Sequence, residues 1–193
     1  MTGRVVVITG AFGVLGSAVA KAAAGQGARL ALIDFAKAAP AGLPSGAEVL
    51  VLPGVDLTDA NQAGAALDAV AGRFGGLDAL LNIAGGFSWN TLENSLAEGW
   101  HRLFLMNVQT AANASRAALP HLRRSAAGRI VNVGANAALK ASVGMGPYAA
   151  SKAGVHSLTE ALAEELKADN VTVNAVLPSI LDTPANRADM PDA

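Results

Sequence analysis

Short apolar runs alternate with helix-like segments from one end of this chain to the other. The runs are Arg4–Thr9, Ala28–Asp34, Glu48–Pro53, Leu77–Asn82, Gly128–Val133 and Val171–Leu177. The first, RVVVIT, is β-branched and apolar on both sides, as a strand buried on both faces should be. Between the runs, Val14–Ala24 is rich in alanine and is closed by Gly25 and Gly27. Thr58–Phe74 reads as a helix with Thr58 as its N-cap. Two further helices are predicted at Ser95–His101 and at Asn107–Leu122, and a long one at Pro147–Leu166 with proline in its first turn. Phe35–Gly46 holds two prolines and two glycines and reads as loop. Strands alternating with helices imply βαβ units and a parallel sheet. Right-handed crossovers then place helices on both faces. The expected fold is α/β, a doubly wound parallel sheet of six strands in one domain over residues 1–193.

The first strand runs straight into Thr9-Gly10-Ala11-Phe12-Gly13-Val14-Leu15-Gly16 and then a helix. Glycines there permit a tight turn, a close approach to a pyrophosphate and close helix–sheet packing. The helix start adds free N–H groups and partial positive charge. Asp34 ends the second strand, 18 residues after Gly16. An acid at that place accepts from ribose hydroxyls and repels a 2′-phosphate. Phe35 and Ala36 follow it, and Lys37 is the nearest cation. The expected cofactor is NAD(H) in preference to NADP(H), held by Gly10, Phe12, Gly13, Val14, Leu15, Gly16, Asp34 and Phe35.

Tyr148 and Lys152 open the last long helix four residues apart, so they share a face. A free tyrosine titrates near about 10, and a close cation favours its phenolate. Such a phenol can exchange a proton with a carbonyl or an alcohol.

Taken in order along the chain, these motifs resemble the short-chain dehydrogenase/reductase family. Asp56-Leu57 is similar to the acidic pair that contacts adenine, and Asn82-Ile83-Ala84-Gly85 to the segment after the fourth strand. Asn107 matches the family's catalytic asparagine, and Tyr148 and Lys152 its proton donor and helper. Pro178-Ser179-Ile180-Leu181-Asp182-Thr183 looks like the segment that holds the nicotinamide amide. The resemblance implies a Rossmann fold and hydride transfer between nicotinamide and a small carbonyl or alcohol. It implies catalytic Asn107, Tyr148 and Lys152, and further cofactor contacts from Asp56, Leu57, Asn82, Ala84, Gly85, Pro178, Ile180 and Thr183. It also implies that Lys152 lowers the Tyr148 pKa, that Asn107 positions a water, and that the chain forms a homodimer or homotetramer through its last two long helices.

Three departures accompany the resemblance. Val14 stands where most simple members carry glycine. The serine usually found 13 residues before the tyrosine is replaced by Ala135. Quinonoid dihydropteridine reductases also lack that serine and act on an already activated substrate. The sequence ends ten residues after Thr183, so the family's seventh strand is not expected in it. Ala135 and the short end favour an alternative reading, a weakly active or non-catalytic NAD-binding module. Asn136, Ser142 or a water is a candidate replacement donor.

Composition narrows the remaining classes. Hydrophobic residues make up 52% and charged residues 15%, with a net charge of −1 and no basic stripe, which argues against nucleic acid. No run of about 18 apolar residues is present for a membrane span. The opening MTGRVVVITG has no signal-peptide core, cysteine is absent, and a cytoplasmic location is expected. His101, His121 and His156 lack metal-ligand spacing and read as helix-surface groups, so no metal is expected. Glu160, Glu164 and Glu165 read as a solvated helix face, and Phe87 and Trp89 as packing with possible substrate contact.

Overall fold

The computed structural model describes residues 1–189. Its strands are β1 (Val5–Thr9), β2 (Arg29–Ile33), β3 (Val49–Leu52), β4 (Ala79–Asn82), β5 (Arg129–Val133) and β6 (Thr172–Val176). All pair in parallel in the order β3-β2-β1-β4-β5-β6. The chain reverses its direction of travel between β1 and β4, and a crevice opens beyond their carboxyl ends. Each strand lies inside the range its apolar run predicts.

Helices cover both faces. Helix α1 (Val14–Gly25) packs Ala20 and Ala23 on one, against Val6, Ile8, Leu30 and Leu32. The other carries α2 (Ala60–Phe74), α4 (Thr110–Leu122) and α5 (Gly146–Glu165). There Leu67, Ala118, Leu122 and Leu162 join Val5, Val7, Leu80 and Ile130. Alanine on α1 and α4 brings these helices close to the sheet, which accounts for the alanine-rich composition.

Two local expectations need correction. The N-cap of α2 is Asp59, not Thr58. Asp59 accepts from the amides of Asn61 and Gln62 at 2.8 and 3.4 Å. The Thr58 hydroxyl is instead drawn to Asp56, 2.7 Å away. The two helices expected around Ser95–Leu122 form one continuous track. Helix α3 (Ala97–Phe104) passes into a π-helical turn at Leu105–Gln109 and then into α4. No glycine or proline stands in Leu105–Gln109 itself, and neither Gly99 in α3 nor Pro120 in the last turn of α4 ends the track. A π turn inserts an extra residue without ending a helix, and it re-aims side chains; here it turns Asn107 inward, where it is 1% exposed. A short α6 (Pro184–Asp189) follows β6. No helix among the described residues is long and apolar enough to cross a membrane.

Candidate active site

The crevice is a cleft of about 1190 Å³ that joins the glycine turn at one end to Tyr148 and Lys152 at the other. At the first end, Gly10 has φ 62°, and a Cβ on it would stand 2.8 Å from the Ala84 backbone. A Cβ on Gly16 would collide with the Gly10 carbonyl. Only glycine fits either place, so α1 starts hard against the turn. Gly13 caps α1 without a side-chain hydrogen bond, which leaves the first-turn amides open to an anion in the cleft. Thr9 closes the floor: its hydroxyl accepts from the amides of Ile83 and Ala84, both at 3.1 Å.

Asp34 stands over this turn with Phe35 beside it, 72% exposed. Its two carboxylate oxygens accept from the Phe12 and Ala36 amides, each at 2.9 Å. The acid therefore anchors the glycine turn as well as facing the cleft. Asp56 and Leu57 line the same space. The cradle of Gly10, Gly13 and Gly16, its uncapped helix start and an acid at the β2 end fit a dinucleotide.

At the other end, Phe87 meets the Tyr148 ring edge-on, with centroids 4.9 Å apart. Burial pushes the Tyr148 phenol up from its ordinary pKa. Lys152 is 6% exposed, and burial brings its ammonium down to about 8. Its Nζ donates to the Val133 carbonyl at 2.7 Å. The expected lowering of the Tyr148 pKa by Lys152 is thus not found here. The ammonium is directed at the end of β5, and loss of water dominates at the phenol.

Asn107 lies behind the cleft wall. Its Oδ1 accepts from the Gly86 amide at 2.9 Å, and its Nδ2 donates to the Gly86 carbonyl at 3.1 Å and to Ser151 Oγ at 2.9 Å. Both amide hydrogens are committed to protein, so Nδ2 is not free to hold a water. Ser151 in turn donates to the Tyr148 carbonyl at 2.8 Å. Sequence reasoning missed Ser151; its one signal was a place one turn beyond the tyrosine, where serine bonds back to the helix.

Of the residues expected to touch cofactor, Gly10, Phe12, Gly13, Val14, Leu15, Gly16, Asp34, Phe35, Asp56, Leu57, Ala84, Gly85, Tyr148 and Lys152 line the cleft. Asn82 does not. It is buried between strands and donates to Ser115 and Asn132, stitching α4 to the sheet. Pro178, Ile180 and Thr183 also lie outside the lining, which Leu181 alone reaches from that segment. The Thr183 hydroxyl is turned to the Asn186 amide at the start of α6. His101 is exposed, as expected, and lines the cleft; His156 is half-buried instead, with its Nε2 3.4 Å from the Ala135 amide. Ala135 is buried, whereas Asn136 and Ser142 are exposed and line no part of the cleft.

Comparison with known proteins agrees with this geometry. The family profile described as short chain dehydrogenase matches residues 4–193. D-beta-hydroxybutyrate dehydrogenase of Rhizobium meliloti (strain 1021) is 34% identical over 199 residues, spanning 98% of this chain and 76% of the relative. Meso-2,3-butanediol dehydrogenase of Serratia marcescens is 35% identical over 185 residues, spanning 93% of this chain and 72% of the relative. A short chain dehydrogenase from Mycobacterium avium superposes with a TM-score of 0.82 at 32% identity, covering 92% of this chain and 68% of that one.

Proposed function

This chain belongs to the short chain dehydrogenase family, and from that membership we propose that it is an NAD(H)-dependent oxidoreductase with Tyr148 as its proton donor. It would act on a small carbonyl or alcohol, or on an activated conjugated substrate. The observation that carries the reading is one continuous cleft with Asp34 and the glycine turn at one end and Tyr148 at the other.

Bound NADH supplies the hydride. As the carbonyl carbon accepts it, the oxygen takes the Tyr148 proton; in the reverse direction the phenolate removes the alcohol proton. Lys152 remains mostly cationic at neutral pH, with its pKa at about 8, and braces α5 against the end of β5 through the Val133 carbonyl. Its place in the cleft lining supports a further contact with the nicotinamide ribose. Asn107 holds the Gly86 backbone and the start of α5 and acts as a positioning residue. Asp34 favours NADH, with NADPH the weaker ligand. A turnover screen with NADH against ordinary and activated carbonyls tests the reading. Activity on any of them should vanish in Tyr148→Phe while NADH binding persists; full turnover by that variant would remove Tyr148 from the role.

Ala135 supports a second reading. No hydroxyl stands there to share the developing oxyanion, and losing one such donor costs roughly 10²–10³ in rate. Either the substrate arrives activated, or the protein is a weakly active NAD-binding module. The same screen separates them. The proposal includes a homodimer or homotetramer and a cytoplasmic place of action.

A further inference from the structure

Trp89 ties together two loops on the substrate side of the cleft. One leaves β4 and carries Phe87; the other, residues 139–145, leads into the first turn of α5 and Tyr148. The Trp89 indole N–H donates to the Val143 carbonyl at 3.0 Å, and the Asn90 amide donates to the Gly144 carbonyl at 2.8 Å. Gly144 has φ 77°, and a Cβ on it would collide with the Trp89 indole. Glycine is needed there for its backbone angle and for the seat it gives the ring. Trp89 is itself 56% exposed and lines no part of the cleft. Neither core burial nor substrate contact accounts for a tryptophan at this place. Its effect falls on Phe87, two residues upstream, whose ring is held against Tyr148.

We propose that Trp89 is a positioning residue for substrate specificity: it latches the Phe87 loop to the Val143–Gly144 backbone and so sets the width of the cleft beside Tyr148. The inference rests on Tyr148 being the proton donor. With Phe87 held in place, flat or unbranched carbonyl compounds pass it, and those branched beside the carbonyl are excluded.

The test uses Trp89→Ala, Gly144→Ala and the double variant, each assayed on an unbranched methyl ketone and a tert-butyl ketone. Trp89→Ala should raise the branched-to-unbranched ratio of kcat/KM by about tenfold, the scale on which a pocket wall discriminates bulk. NADH affinity should not change. Gly144→Ala, which unseats the indole, should move the ratio the same way but add no further shift once Trp89 is gone. Trp89→Phe, which keeps a ring and loses the N–H, should move it less and guards against misfolding of the alanine variant. An unchanged ratio in Trp89→Ala, or a Gly144→Ala shift equally large without Trp89, overturns the proposal. A third readout needs no turnover. The chain has one tyrosine, so phenolate absorbance reports Tyr148 alone. Trp89→Ala should let water reach the phenol and move its titration to lower pH. If the unmodified protein reduces neither ketone, the hydride-transfer reading fails on those substrates. The titration then decides the latch alone: a downward move supports it, and an unmoved curve rejects it.

Discussion

Asn107 and Gly86 exchange two hydrogen bonds. The Gly86 amide donates to Asn107 Oδ1 at 2.9 Å, and Asn107 Nδ2 donates back to the Gly86 carbonyl at 3.1 Å. The same side chain donates to Ser151, which bonds the Tyr148 carbonyl. The π turn that delivers Asn107 thus fastens the loop after β4 to the helix that carries Tyr148 and Lys152.

Asn107→Leu should therefore act on stability as well as activity. Leucine fills a similar volume but orphans the half-buried Gly86 amide and carbonyl and takes a donor from the buried Ser151 hydroxyl, at a cost on the order of 2–3 kcal/mol. Ser151→Ala, which loses one partner of the same network, should cost about 1 kcal/mol. Chemical denaturation measures both. Equal, small losses would mean that the network does not brace the site.

Asp34→Ala should do more than relax cofactor choice. The proposed preference for NADH over NADPH should narrow as the negative charge goes. Because the Phe12 amide also loses its acceptor, NADH itself should bind about tenfold more weakly, the cost of a charge-assisted hydrogen bond. Titration calorimetry with both cofactors distinguishes this outcome from a simple exchange of preference.

Burial of Lys152 predicts a pH dependence with a definite sign. The native ammonium titrates at about 8 and the unfolded one near its ordinary 10.5. Between these values unfolding takes up a proton, so this group makes the fold more stable as pH rises from about 8 and leaves it penalised by about 3 kcal/mol below. The raised Tyr148 pKa acts oppositely, weakening the fold above its unfolded value of 10.0. Lys152→Met should be more stable than the unmodified protein at pH 7, and the gap should close between pH about 8 and 10. A gap independent of pH would show that the ammonium is not desolvated.

Ala135 follows the last residue of β5, Val133, by two places; its backbone is extended and it is buried. Val133 lines the cleft. A hydroxyl in Ala135→Ser would add a donor just beyond β5 and is expected to offer about 1–3 kcal/mol to an oxyanion, or roughly ten- to a hundred-fold in rate. Turnover of simple ketones should rise by that factor, while an activated substrate gains little. No rise on any ketone would favour the binding-module reading.

Besides the last two long helices expected to pair, Leu96 at the N-cap of α3 and Trp100 and Phe104 within it recur at four-residue spacing and are 73%, 37% and 49% exposed. An apolar stripe of that kind suits a second copy of the chain. Light scattering at micromolar concentration should give a dimer or tetramer, and Phe104→Glu should shift it toward monomer. A monomeric unmodified protein would falsify this.

The sheet was legible in the order of residues alone. Six short apolar runs, each too short for a helix and separated by helical periods, allow little except parallel βαβ winding. So were the glycine turn and Asp34, because backbone conformation and a strand-end acid are local properties. What that order could not determine is where side chains lead once the elements pack. Lys152 follows Tyr148 by four residues, yet its ammonium is directed at Val133, because the end of β5 offers a carbonyl there. Asn82 follows the fourth strand's pattern but is consumed between strands, and Thr183 caps a helix. Asn107 needed a π turn that no periodicity announces. The bond from Trp89 to Val143 joins residues 54 apart in the chain. Such contacts depend on which carbonyls and spaces other elements leave open, and only the assembled tertiary structure decides that.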